Sequence, residues 1–335
     1  MQRALRLSLA LPVVAVLAAC SSTAAGTGGD TSGDVVTIEH AFGTTEITGT
    51  PERVATVNWA NQDIALALGV VPVGMAAQTY GDDDGDGVLP WTAEALEELG
   101  AETPALFDET DGIDFEAVAE SDPDVILASY SGLTEEDYAT LSEIAPTVAF
   151  PEYAWGTPWR ESLAITGQAL GLEDEAAAVQ ADIEAQIAAA TEGSAFAGLS
   201  TAMVFVDPTD LSTISAYTPL DTRVQYLEDL GLTTAGSVTS LGEANEGQFF
   251  GAVSAEQADT FDDVDLFVAY GDQSLLEAMQ ADPLLGTIPA IQRGAVALLT
   301  DGTPVAAALT PTPLSIPWAL DDYVTSFDAA AQQVP

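Results

Sequence analysis

No lysine occurs in this sequence, and histidine and cysteine occur once each, as His40 and Cys20. Six arginines stand against 53 aspartates and glutamates, for a formal net charge of −47. A chain this acidic repels nucleic acid and anionic lipid headgroups, so partners of either kind are excluded. One cysteine excludes a disulfide framework. One histidine and no spare thiol exclude the usual ligand sets for zinc or haem iron. A secreted hydrolase is poorly served as well: no G-x-S-x-G elbow is present, and His40 would have to be the sole base of a triad. His40 follows the strand-like run Val35–Glu39 and reads as a strand-end residue. No apolar run reaches the roughly 20 residues that span a bilayer. Hydrophobic residues still make up 47% of the chain, so it is globular rather than a disordered acidic tail.

The N-terminus carries Arg3 and Arg6, the apolar run Leu7–Val16, and then Leu17-Ala18-Ala19-Cys20. This is a charged, apolar and small-residue succession. It resembles a bacterial lipobox. That resemblance implies a signal peptide over 1–19 and acyl chains on Cys20. The mature protein is then held by lipid on the extracellular face of the cytoplasmic membrane. An ordinary secretory signal with a chance cysteine is the alternative. Residues 20–34 are Ser, Thr, Gly, Ala and Asp after the cysteine and read as a flexible tether. Four arginines remain beyond the signal: Arg53, Arg160, Arg223 and Arg293. Such a charge favours a soluble monomer.

From Val35 onward, short β-rich runs alternate with helical segments, among them Asp124–Ala128 and Glu135–Ile144. The pattern predicts a parallel sheet covered by helices. Glu173–Ala190 breaks the rhythm: it has no breaker, and Val179, Ile183 and Ile187 form one apolar stripe. About 20 residues make a rod of about 30 Å. Alternation resumes at Ala202. The predicted fold is α/β, with two Rossmann-like lobes (35–171 and 195–335) joined by a single long helix within 172–194, and a ligand cleft between them. The lobes echo each other. Phe115–Leu127 and Val253–Phe267 each run from a short helix bearing a glutamate through an acidic turn to a buried strand.

Four segments, taken in order behind the lipobox, resemble a known family. They are Thr50–Thr56 (TPERVAT), Ala65–Gly74 (ALALGVVPVG), Asp122–Leu127 (DPDVIL) and Arg223–Gly231 (RVQYLEDLG). The family is that of the solute-binding lipoproteins of ABC importers for ferric siderophores, the class III periplasmic binding proteins, with vitamin B12 binders as cousins. It implies a ferric siderophore as ligand, and an ABC permease with its ATPase as partners. It implies no enzymatic activity and a stiff hinge with small closure. Cobalamin or haem in the same fold are the alternatives.

A ferric siderophore brings its iron already coordinated. The protein then needs flat aromatic walls, a few donors and a matched charge, not metal ligands. Loops beyond strand ends supply candidates: Trp59, Tyr80, Trp91, Tyr130, Trp155, Trp159, Arg160, Tyr217, Arg223, Phe250 and Tyr270. Each aromatic reads equally as lobe packing, and each arginine as an ion-pair partner of the surrounding acid. The net charge favours a neutral or cationic hydroxamate chelate over a catecholate trianion, while arginines focused in the cleft act the other way. The resemblance assigns permease docking to Glu116 and Glu256, at matching positions of the echoed motifs. Finally, Asp82, Asp84 and Asp86 open like a calcium loop. The twelfth position from Asp82 is Ala93 rather than glutamate, so a plain acidic turn is the competing reading.

Overall fold

The computed structural model describes residues 35–335. The signal peptide, Cys20 and the tether lie outside them.

The first half builds a five-stranded, all-parallel sheet. The chain enters through a hairpin, β1 (Val35–His40) and β2 (Gly43–Thr48). There follow β3 (Val54–Thr56), α1 (Asn61–Ala67), β4 (Gly74–Ala76), α2 (Pro90–Glu98), β5 (Ala105–Phe107), α3 (Phe115–Glu120), β6 (Val125–Leu127), α4 (Glu135–Ile144) and β7 (Thr147–Val148). The sheet order is β5-β4-β3-β6-β7. The central strands β3 and β6 are buried along their whole length. This is why β6 reads as an uninterrupted apolar run and β3 is apolar but for Thr56: helices cover both faces of a parallel sheet. The hairpin is fastened to the β7 edge, where Ala41 N donates to Phe150 O at 3.0 Å and Thr45 Oγ1 to Thr147 O at 2.6 Å. His40 is consumed here, with its Nε2 2.9 Å from Thr45 Oγ1 and its ring against Tyr138.

Two helices carry the chain to the second sheet, α5 (Trp159–Leu170) and α6 (Glu173–Ala190). Gly171 ends α5 in the left-handed region at φ 68°, where glycine costs least. Gly167 lets the two helices meet, since a side chain there would strike Ala176.

The second half adds β8 (Ser200–Asp207), β9 (Asp210–Tyr217), α7 (Thr222–Asp229), β10 (Thr233–Thr234), α8 (Gly236–Ala244), β11 (Phe250–Ser254), β12 (Leu266–Tyr270), α9 (Gln273–Ala281), α10 (Pro289–Arg293), β13 (Val296–Leu299), α11 (Pro304–Ala308) and α12 (Ser315–Ala331). Its sheet runs β11-β9-β8-β12-β13, with β10 beside the start of β8. The β8, β12 and β13 strands are parallel, but β9 is antiparallel to both β8 and β11. The second sheet is therefore mixed, which departs from a purely Rossmann-like lobe. The antiparallel β8–β9 pair needs only the two-residue turn Pro208-Thr209, where a parallel pair would need a crossover.

All strands of the first sheet precede residue 149 and all of the second follow 199, so the chain passes between them once. The junction is nevertheless thicker than one helix. The closing helix α12 packs against α6, burying Ile316, Ala319, Leu320, Tyr323 and Phe327 at helical spacing. One apolar cluster then runs from Val54, Ile64 and Val125 of the first half to Met203, Leu266 and Val268 of the second.

Candidate functional site

The loop after β3 is held in an unusual shape. Asn58 and Ala60, on either side of Trp59, both have positive φ, 60° and 64°. Each such residue costs on the order of 1–3 kcal/mol unless its surroundings over-determine it. Here they do. Asn58 donates from its backbone N (3.0 Å) and Nδ2 (3.1 Å) to Glu109 Oε2, and its Oδ1 accepts from Gly132 N at 3.0 Å. Asn61 Nδ2 donates to Val57 O and Tyr130 O, both at 2.8 Å. Burial raises the pKa of the Glu109 carboxyl, and the Asn58 donors partly offset that. The indole of Trp59 is thus presented from a fixed backbone.

Opposite it stand residues of the second half. A cavity of about 360 Å³ is lined by Trp59 and Tyr80 from the first half and by Phe205, Tyr217, Arg223 and Tyr270 from the second, with Asp301 and Thr310 at its edge. The rings of Trp59 and Tyr80 lie 6.3 Å apart, and those of Tyr80 and Tyr270 lie 6.4 Å apart, edge to face. Tyr80 Oη donates to Asp301 Oδ1 at 2.8 Å, and Thr222 Oγ1 lies 3.3 Å from Tyr130 Oη. Both contacts bridge the two halves. A second cavity of about 380 Å³ lies along the first sheet's strand ends, sharing Trp59 as a lining residue and adding Gln78, Glu109 and Trp155. A third of about 260 Å³ shares Phe205, Tyr270 and Asp301. Ligand crevices of α/β sheets lie beyond the carboxyl ends of their strands, as these do.

Arg223 is the cation of this cleft, and it is already engaged. Its Nε and Nη2 donate to the two oxygens of buried Asp221 at 2.8 and 2.6 Å, and its Nη1 reaches Tyr270 Oη at 3.4 Å. The guanidinium lies 3.9 Å over the Tyr217 ring. Burial alone would lower its pKa, but the Asp221 carboxylate outweighs burial and raises it. Burial pushes Tyr130 and Tyr270 up to about 12. Both stay neutral phenols, good donors and poor anionic ligands for a metal.

The sequence candidates divide accordingly. Trp59, Tyr80, Tyr217, Arg223 and Tyr270 meet in the cleft, and Trp155 lines the second cavity. Tyr130 packs edge-on against Trp155 at 5.4 Å. Gly132 makes the room, since any side chain there would collide with the Trp155 indole. Trp91, Trp159 and Arg160 are corrections. Trp91 is 3% exposed, donates to buried Asp63 at 2.7 Å and packs on Trp318. Trp159 is 4% exposed and donates to Asp229 at 3.0 Å. Arg160 bonds Glu184 and Asp229, both at 2.7 Å, and so braces α5 against α6 and α7. Phe250 is another correction: it opens the edge strand β11 instead of a loop, pairs in register with Tyr217 and packs at a tilt against Phe249 outside the three cavities. Sequence reasoning missed Phe205, Asp221, Asp301 and Thr310. Only Asp221 carried a local signal, as the N-cap of α7 two residues before an arginine.

Glu116 and Glu256 are exposed, each the second residue of a short helix capped by Asp114 or Ser254. The carboxylates of Asp82, Asp84 and Asp86 come within 4.8 Å of one another. Backbone amides already occupy them in part: Asp82 accepts from Gly85 N and Gly87 N, and Asp86 from Val88 N, each at 2.8 Å.

The sequence profile described as periplasmic binding protein matches residues 54–303. The chain is 31% identical over 179 residues to the probable siderophore-binding lipoprotein YfiY of Bacillus subtilis, covering 53% of this chain and 51% of that protein. The match thus spans about half the length of that relative. It is 28% identical over 269 residues to the ferric enterobactin-binding periplasmic protein FepB of Escherichia coli, covering 76% of this chain and 80% of that protein. The crystal structure of PiaA from Streptococcus pneumoniae in complex with ferrichrome superposes with a TM-score of 0.86 at 43% identity, over 90% of this chain and 100% of that one.

Proposed function

The chain belongs to the periplasmic binding protein family, and we propose that it is the solute-binding component of an ABC importer that takes up a ferric siderophore. It is a binding protein and not an enzyme. The observation that carries the ligand is the cradle shared by both halves: Trp59 and Tyr80 from one, Tyr217, Arg223 and Tyr270 from the other. Flat aromatic faces suit the rim of a bulky chelate. The guanidinium and the phenols offer N–H and O–H donors to its oxygens. The relatives named for a siderophore or bound to ferrichrome support the same ligand class.

In this reading, lipid on Cys20 tethers the mature protein outside the cytoplasmic membrane. Residues 35–171 and 195–335 are the two lobes, with 172–194 between them. Glu116 and Glu256 meet the permease as a pair of rim charges, setting orientation and on-rate. Tryptophan fluorescence titrated with ferrichrome, haem and cobalamin tests the ligand. Saturable quenching by ferrichrome alone is expected. Quenching by cobalamin or haem without ferrichrome would refute it.

A further inference from the structure

The charges around the cleft do not belong to a receptor for anions. Among the described residues lining these three neighbouring cavities, the one cation is Arg223, against four carboxylates: Glu109, Asp137, Asp272 and Asp301. The bidentate Asp221 cancels that cation locally, so the pair gives a ligand donors but no net positive charge. Three of the four carboxylates are occupied within their own half. Glu109 accepts from Asn58, Asp137 closes the capping box of α4, and Asp272 caps α9. Asp301 differs. It is exposed, it lines two of the cavities, and its bond comes from Tyr80 across the cleft.

Three hydroxamates cancel the charge of ferric iron and leave a neutral chelate, whereas three catecholates leave a trianion. A trianion entering this cleft would meet uncompensated carboxylates at short range and a net charge of −47 at long range. Resting on the ferric-siderophore reading above, we propose that the cleft selects ferric trihydroxamates of neutral or positive overall charge, with Asp301 as the carboxylate that meets a pendant cation. An ammonium on a hydroxamate chelate would take the free lone pairs of Asp301 while Tyr80 keeps its own bond.

The test uses fluorescence titration of the wild type, Asp301→Asn and Tyr80→Phe with three probes. These are ferrichrome (neutral), ferrioxamine B (a linear trihydroxamate with one pendant ammonium) and ferric enterobactin (a trianion). Asparagine retains an acceptor for Tyr80, so the fold is kept, and circular dichroism checks it. The wild type should bind the first two, and ferric enterobactin at least tenfold more weakly than either. Asp301→Asn should weaken ferrioxamine B at least fivefold more than it weakens ferrichrome. Tyr80→Phe, which keeps the charge, should not reduce the preference for ferrioxamine B over ferric enterobactin. Ferric enterobactin binding within tenfold of ferrichrome, a wild type that takes ferrichrome but not ferrioxamine B, or an Asp301→Asn protein that loses both hydroxamates alike would overturn the proposal and leave the siderophore reading standing. A wild type that binds none of the three removes that reading as well.

Discussion

Asp63 is fully buried and accepts hydrogen bonds from Trp91 Nε1 and Thr92 Oγ1 at 2.7 Å and from Thr312 Oγ1 at 2.9 Å. It thereby ties α1 and α2 to the segment entering α12. Burial raises its pKa from 3.8 to about 6, although the three donors pull the other way. Between those values the folded protein keeps a proton that the unfolded chain has lost, so stability falls as pH rises. The contribution is whole below pH 3.8, declines between about pH 4 and 6, and is gone above. At 1.36 kcal/mol per pH unit the loss is about 3 kcal/mol. Asp63→Asn removes the buried charge and keeps the contacts: its oxygen accepts from Trp91 and Thr312, and its amide donates to a turned Thr92 hydroxyl. Urea unfolding of both proteins from pH 4 to 8 is the assay. The other carboxylates titrate alike in both and cancel. The variant should match the wild type near pH 4 and exceed it by about 2–3 kcal/mol at pH 7. A stability difference that stays flat across this range would refute the reasoning.

Trp59→Ala and Arg223→Ala should each weaken ferric siderophore binding tenfold or more, about 1.4 kcal/mol, by fluorescence titration; unchanged affinity in both removes the site. Arg160→Ala should cost about 1 kcal/mol of stability, read by denaturant unfolding, because its two ion pairs are partly screened, and it should leave ligand affinity intact. Gly132→Ala should displace the Trp155 indole and lower affinity with little change in far-UV circular dichroism. The double variant Glu116→Ala, Glu256→Ala should bind ligand normally and fail to support uptake in cells.

Local pattern revealed what local physics decides. Val125–Leu127 reads as a buried strand because it is apolar on both faces, and Gly171 marks the end of α5 by its positive φ. The antiparallel arm was harder to see. Residues 210–217 are largely polar, and Phe250–Ser254 looks like loop until it pairs with them. Tryptophans misled for a related reason. Trp91 and Trp159 each follow a proline in the sequence, but their N–H groups find Asp63 and Asp229 only in three dimensions, 28 and 70 residues away. Asp301 meets Tyr80 across 221 residues, a pairing that no periodicity encodes. Composition anticipated an acidic surface and paired arginines, but not that Arg223 would be both paired, with buried Asp221, and part of the cleft wall.

The apolar cluster shared by both halves limits how this receptor can let go of its cargo. Swinging the halves apart would wet part of that common interior. Uncovering 200 Å² at roughly 25 cal/mol per Å² would cost about 5 kcal/mol, as much as the whole margin that keeps many domains folded. Release is therefore expected to proceed by shifts of rims and side chains around a frame that yields little, with the unloading partner working on its edges.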